Sequence, residues 1–251
     1  MATAVLADCG LAATTPAPTL LVFAAASLRD AIDAEADAYQ RATGVPVIFS
    51  TDSSAALRAQ IEQGAEVDVF LSADTRNPEA LAAAGLIDGE VVAFAGNRLA
   101  IVVPGGNPAG IASPFDLGRP GVRVIAAGDS VPISGYAATL LDALAGLPGA
   151  PAGLADGYAA NVVSHEDSVS AVLSKIELGE GDAAIVYATD AAASARVIAL
   201  EIPAEADVVA TYAGVVPDTA GWPEGGHAFL DWMVAPDGQA ILARFGFLAP
   251  P

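Results

Sequence analysis

The chain has 251 residues, 54% of them hydrophobic, enough for a sizeable core and for one large domain or two of roughly 100–125 residues. Thirty acidic residues against ten basic ones leave a formal charge of −20. That balance excludes tracking along a nucleic-acid backbone and adsorption to an anionic membrane, since both need clustered Lys and Arg.

Residues 1–18 read as an extended leader, with Thr14, Thr15, Pro16 and Pro18 suited to a linker. Val5 to Gly10 surround the single cysteine, Cys9, which excludes an intrachain disulfide. Two readings stand for this stretch. It is the end of a lipoprotein signal whose cysteine carries a lipid anchor, with Asp8 departing from the small residue expected there, or a leader with an incidental cysteine. From Thr19 onward short apolar runs alternate with helical patterns. Leu20–Phe23 reads as a buried strand, and Leu28, Ile32 and Tyr39 recur at helical spacing until Gly44. Strands follow at Val45–Phe49 and Val67–Leu71, separated by a short helix through Leu57 and Ile61 that stops at Gly64. Asn77-Pro78 carries the cap-then-proline signature of a helix start. Leu99–Val103 and Val122–Ala126 are strands. Helical stripes run through Tyr136, Leu140, Leu141 and Leu144, and through Val169, Val172, Leu173 and Ile176. Ala183–Tyr187 and Val208–Val216 are further strands, and two helices near 224–235 and 236–245 close the chain. This alternation implies an α/β fold with mostly parallel sheets and helices on both faces. No run approaches the roughly 20 apolar residues of a membrane-spanning helix. The two histidines, His165 and His227, match no metal-ligand spacing.

Four places share one design, in which an apolar strand or loop is followed by a small hydroxyl- or amide-presenting segment and then an amphipathic helix. They are Ala24–Leu28, Thr51–Ala55, Gly128–Ser134 and Glu166–Val169. Each presents serines or free N–H groups at a helix N-terminus, the positive end of the helix dipole. Strand ends of this kind line ligand crevices in doubly wound sheets, and several converging would hold an anion without a cationic side chain. Serine is also an ordinary N-cap, so each turn taken alone needs no ligand to explain it.

The surrounding words extend the pattern. Val22-Phe23-Ala24-Ala25-Ala26-Ser27-Leu28, Ser53-Ser54-Ala55-Ala56-Leu57, Asp68-Val69-Phe70-Leu71-Ser72-Ala73-Asp74, Val131-Pro132 before Gly135-Tyr136-Ala137, Glu166-Asp167, Ile185-Val186-Tyr187-Ala188-Thr189-Asp190 and Arg244-Phe245-Gly246-Phe247 stand in one order. Together, over about residues 19–248, they resemble the periplasmic molybdate-binding proteins of ABC transporters. The resemblance implies a two-lobed periplasmic-binding fold, with residues 19–98 plus 209–251 in lobe I and 99–208 in lobe II. It implies an extracytoplasmic, monomeric protein without cofactor or enzymatic activity, which captures molybdate or tungstate for a membrane permease. The ligand's oxygens would meet Ser27, Ser54, the N–H near Ile133, the N–H near Ser168 and the phenol of Tyr187. Two departures stand out. Ile133-Ser134 replace the usual small pair after the proline, and Asp52 beside Ser53 would accept a proton if it faced a dianion.

Other classes fit less well. Gly128-Asp129-Ser130 after a strand suggests a hydrolase nucleophile, but no G-x-S-x-G word or triad histidine accompanies it. The sensing module of a transcription regulator would need a DNA-binding helix pair, and none precedes residue 19. Within the binding class, sulfate and phosphate are the rival ligands, since fold does not choose among oxyanions.

Overall fold

The computed structural model describes residues 18–251, so the leader and Cys9 lie outside it. In chain order its elements begin with β1 (Leu20–Ala25), α1 (Arg29–Thr43), β2 (Val47–Asp52), α2 (Ser54–Glu62), β3 (Val69–Ser72), α3 (Arg76–Ala83) and β4 (Ile87–Pro104). Next come β5 (Val124–Ala127), α4 (Pro132–Ala145), α5 (Leu154–Asn161), β6 (Val162–Glu166), α6 (Val169–Glu177), β7 (Ala183–Tyr187) and α7 (Ala188–Ala193). The chain ends with β8 (Val197–Leu200), β9 (Val209–Pro217), α8 (Pro223–Val234) and α9 (Pro236–Arg244).

The strands hydrogen-bond in the order β2-β1-β3-β9-β4-β7-β5-β6, with β8 beside β4. β1 pairs in parallel with β2 and β3, and β5 with β6 and β7. The antiparallel pairs all involve the two long strands β4 and β9. Each parallel set is a βαβ unit, whose crossover helix carries the chain back so that every strand points the same way. Register then levels the strand ends: Ala25 lies beside Asp52, and Ala127 beside Glu166. The turns that leave those ends therefore emerge side by side.

α1 shows why the helices sit where they do. It buries Ala31, Ile32, Glu35, Ala36 and Tyr39 on one face and ends at Gly44, whose φ of 78° allows the left-handed cap. Tyr39 meets Phe229 and Trp232 of α8 edge-on at 5.0 and 5.6 Å. Trp232 donates its indole N–H to Glu35 Oε2 at 2.8 Å. On the other face of β3, a smaller cluster of Leu57, Ile61, Phe70, Leu81 and Val215 seats α2 and α3. Buried Asp68 joins both sides, accepting the Leu21 N–H through Oδ2 and the Trp222 N–H through Oδ1, each at 2.8 Å.

Several sequence expectations shift. β4 begins at Ile87, twelve residues before the expected Leu99, and two register breaks interrupt its first half. β2 starts and ends later than expected. α3 begins at Arg76 with Thr75, not Asn77, at the N-cap position, and Asp74 just upstream accepts the Asn77 N–H at 3.1 Å. α5, β6, α7 and β8 were not foreseen; they are short and carry weak periodicity.

Candidate oxyanion-binding site

The four serine- and N–H-bearing turns come together. One small cavity is walled by Ala25, Ala26 and Ser27 after β1, Ser53 and Ser54 after β2, and Ala73 after β3. Val131 and Pro132 at the start of α4, Ser168 and Val169 at the start of α6, and Tyr187 at the end of β7 complete it. None of these lining residues carries a charge. The space open to the centre of a water molecule there is about 10 Å³, roughly one water's worth. Roomier cavities lie elsewhere: about 350 Å³ beside α4 and α5, and about 330 Å³ between α1, α7 and the C-terminal Phe245-Phe247 segment. Neither gathers the four turns.

Hydrogen bonding sets what the serines can do. Ser53 is the N-cap of α2 and its Oγ accepts the Ala56 N–H at 3.3 Å. Ser54, 1% exposed, accepts the Ala73 N–H at 3.0 Å. Ser168 caps α6, accepting the Ala171 N–H at 3.3 Å. Backbone N–H groups can only donate, so each of these oxygens is fixed as an acceptor and each hydroxyl proton is left to donate elsewhere. Ser27 Oγ lies 2.8 Å from Tyr212 Oη. Tyr187, 1% exposed, reaches the Ala73 carbonyl only at 3.5 Å, and burial pushes its phenol well above the ordinary range. It too keeps its proton and serves as a donor.

Of the five residues expected to meet a ligand, Ser27, Ser54, Ser168 and Tyr187 line this cavity. The fifth place differs. The Ile133 side chain packs toward the larger cavity beside α5, and α4 faces the small cavity through Val131 and Pro132. Ile133 itself is not on the wall of the small cavity, and its N–H lies in the first turn of α4, among those without an intrahelical partner. Ser134 turns inward to bond the Ala127 and Gly128 carbonyls at 3.0 and 2.8 Å, which pins this loop. Asp52 is exposed, absent from the cavity wall, and accepts the Ser53 N–H at 2.6 Å. Arg29, the nearest arginine in sequence to Ser27, is exposed and faces the 330 Å³ cavity. Two participants were not foreseen from sequence. Ser53 lines the cavity, and Tyr212 of β9, 185 residues from Ser27, holds its hydroxyl. Ser130 is exposed and, with His165, takes no part in this constellation; no hydrogen bond joins the two among the described residues.

A two-lobed α/β frame whose helix N-termini and hydroxyls converge on one uncharged cavity defines a solute-binding protein for a small anion. The comparisons agree. The chain belongs to the bacterial extracellular solute-binding protein family, whose sequence pattern matches residues 20–248. It is 37% identical over 239 residues to the molybdate-binding protein ModA of Mycobacterium tuberculosis strain H37Rv, covering 94% of this chain and 87% of that one. It is 30% identical over 246 residues to the molybdate-binding protein ModA of Escherichia coli K12, covering 91% and 88%. Among solved structures, the periplasmic molybdate-binding protein of Azotobacter vinelandii aligns with a TM-score of 0.78 at 26% identity, over 92% of this chain and 100% of that one. The sulfate-binding protein SubI of M. tuberculosis aligns at 0.79 and 22% identity, over 91% and 86%, a likeness of fold.

Proposed function

We propose that the protein captures molybdate, and also tungstate, outside the cytoplasm and delivers it to the membrane permease of an ABC importer. The observation that carries this reading is an uncharged cavity wall in which Ser53, Ser54 and Ser168 each accept a backbone N–H and so keep their hydroxyl protons to donate. Each helix start supplies roughly half a positive charge, so four balance a dianion at about +2. An oxyanion that still carries a proton would bring an O–H with no acceptor to meet it, which disfavours hydrogen phosphate. Sulfate is fully ionised and must be rejected by size, since its bonds are shorter than those of molybdate. The relatives named molybdate-binding proteins support the same choice. The family is one of binding proteins, so the hydrolase reading falls away.

We further propose the lobe division at residues 19–98 plus 209–251 and 99–208. It is supported by β4, which pairs with β9 up to Arg98 and with β7 from Leu99. The cavity wall then draws Ser27, Ser54 and Ala73 from one lobe and Val131, Ser168 and Tyr187 from the other, so that opening of the lobes admits the anion. The protein works as a monomer in this scheme. Lipid attachment through Cys9 is the corresponding proposal for its anchoring, and a relative in Bacillus subtilis, 29% identical, is described as a putative substrate-binding lipoprotein.

Calorimetric titration of ligand-free protein with molybdate, tungstate, sulfate and phosphate tests the function. Molybdate and tungstate should bind at least roughly a hundredfold more tightly than sulfate, about 3 kcal/mol. Phosphate binding as tight as molybdate would overturn the reading.

A further inference from the structure

Three of the cavity's serines are held as acceptors by backbone N–H groups, which cannot be reversed. Ser27 is different, because its partner is a phenol that can donate or accept. What fixes that phenol lies deeper. Asn97 on β4 and Tyr212 on β9 are both wholly buried. Asn97 Nδ2 lies 2.9 Å from Thr189 Oγ1 and 3.3 Å from Tyr212 Oη. The Tyr212 ring is wedged edge-on among Phe94, Tyr187 and Phe247 at 5.4–6.2 Å, so its oxygen has little freedom to move.

An amide nitrogen carries two protons and accepts none. Tyr212 Oη therefore accepts from Asn97, and its own proton goes to Ser27 Oγ 2.8 Å away. Ser27 Oγ, having accepted, keeps its own proton for the cavity it lines. We infer that Asn97 and Tyr212 form a one-way proton relay that holds Ser27 as a donor toward the bound oxyanion, so that they are positioning residues for anion selectivity. Asn97 supplies through Tyr212 what backbone N–H groups supply to Ser53, Ser54 and Ser168. The arrangement has a cost, since Asn97 Oδ1 is buried without a partner among the described residues. Turning the amide over would invert the chain: Oδ1 would take the Tyr212 proton, Tyr212 would take that of Ser27, and the serine would present a lone pair to an anion.

The inference rests on the oxyanion reading of the cavity, and its test separates the two. Asn97→Asp forces the inverted chain once the introduced carboxyl is ionised, so affinity relative to wild type is followed up to about pH 10, past the range of buried carboxylic acids. Tyr212→Phe removes the link and leaves Ser27 free to turn. Folding of each variant is checked by circular dichroism, and affinities for molybdate and sulfate are read by calorimetry. Asn97→Asp should lose molybdate affinity by roughly tenfold or more, and Tyr212→Phe by a smaller factor. The double variant should bind more tightly than Asn97→Asp alone, because without the phenol the carboxylate has no route to Ser27. Simple charge repulsion or a loosened core predicts the opposite, with the two losses adding. Additive losses, or wild-type affinity in both single variants, would overturn the relay. Should the wild type ignore molybdate, the substrate assignment fails, and the same cycle read with sulfate, a fully ionised dianion, decides the relay.

Discussion

Thermal stability should fall as pH rises from 5 to 8, by an amount two carboxyls set, one on buried Glu35 and one on half-buried Asp190. Glu35 in α1 and Asp190 in α7 are both raised to about 7, chiefly by burial. The Trp232 indole N–H offsets part of that rise at Glu35, while at Asp190 the Tyr187 backbone opposes it and Asp30 adds to it. Each carboxyl leaves one oxygen, Oε1 and Oδ2 respectively, buried without a partner among the described residues, so ionisation has little to compensate it. The sign follows from proton counting. Between the unfolded value near 4 and the folded value near 7, the folded state holds protons that the unfolded chain has released. Folding is therefore favoured at the acidic end of the window and weakened as pH rises through 7. About two units of that gap fall between pH 5 and 8, so at 1.36 kcal/mol per unit each carboxyl loses about 2.5 kcal/mol there. At roughly 2–4 °C per kcal/mol for a chain of this size, the melting midpoint should drop by about 10 °C or more. Glu35→Gln with Asp190→Asn should flatten the profile and raise the midpoint at pH 8. If the double variant keeps the wild-type slope, the fall belongs to general repulsion at net −20 and not to these two groups.

Ser54→Ala should do the most damage among single changes at the cavity. It removes a hydroxyl that lines the proposed anion cavity and also strands the buried Ala73 N–H, which Ser54 Oγ accepts at 3.0 Å. Leaving a buried donor unpaired costs about 1–3 kcal/mol, and the lost ligand contact costs a similar amount of binding. Molybdate affinity should thus drop by roughly fivefold to a hundredfold, with a separate fall in melting temperature. Arg29→Ala is the control: exposed and facing another cavity, it should change affinity by only a few tenths of a kcal/mol. Calorimetry and thermal unfolding of the two variants read both effects. Loss of binding on Arg29→Ala with normal binding on Ser54→Ala would mean that a charged clamp, not a ring of dipoles, holds the anion.

The four turns were legible in the sequence because each is local: a strand, one or two serines and a helix start lie within about ten residues. Their convergence follows from parallel strands, whose carboxyl ends all lie on one edge. Ser27, Ser54 and Ser168 lie in such turns, whereas Tyr187 was implied only by the family resemblance; all four line the small cavity. Asn97 and Tyr212 were not foreseen, because their partners are 92 to 185 residues distant and a tyrosine in an apolar strand reads as core. β4 was read short for a related reason. Its first two-thirds, Ile87 to Arg98, mixes polar and apolar residues, bears two glycines and is broken in register, and it is a strand through its pairing with β9. For α4 the sequence pointed to the N–H near Ile133, while the small cavity is lined by Val131 and Pro132 and Ile133 lines the larger cavity. Asp52, the residue that conflicted most with a dianion site, is resolved by its exposure and its bond to the Ser53 N–H.

The central claim is that the anion sits where these turns meet, in the tightest of the three cavities described and not in either roomier one. Anomalous scattering from molybdenum in crystals of the complex locates the metal directly. The account predicts one strong peak enclosed by the β1, β2, α4 and α6 turns, with oxygens in hydrogen-bonding reach of Ser27, Ser54 and Tyr187. A peak beside Arg29 and Arg244, or in the cavity between α4 and α5, would contradict it.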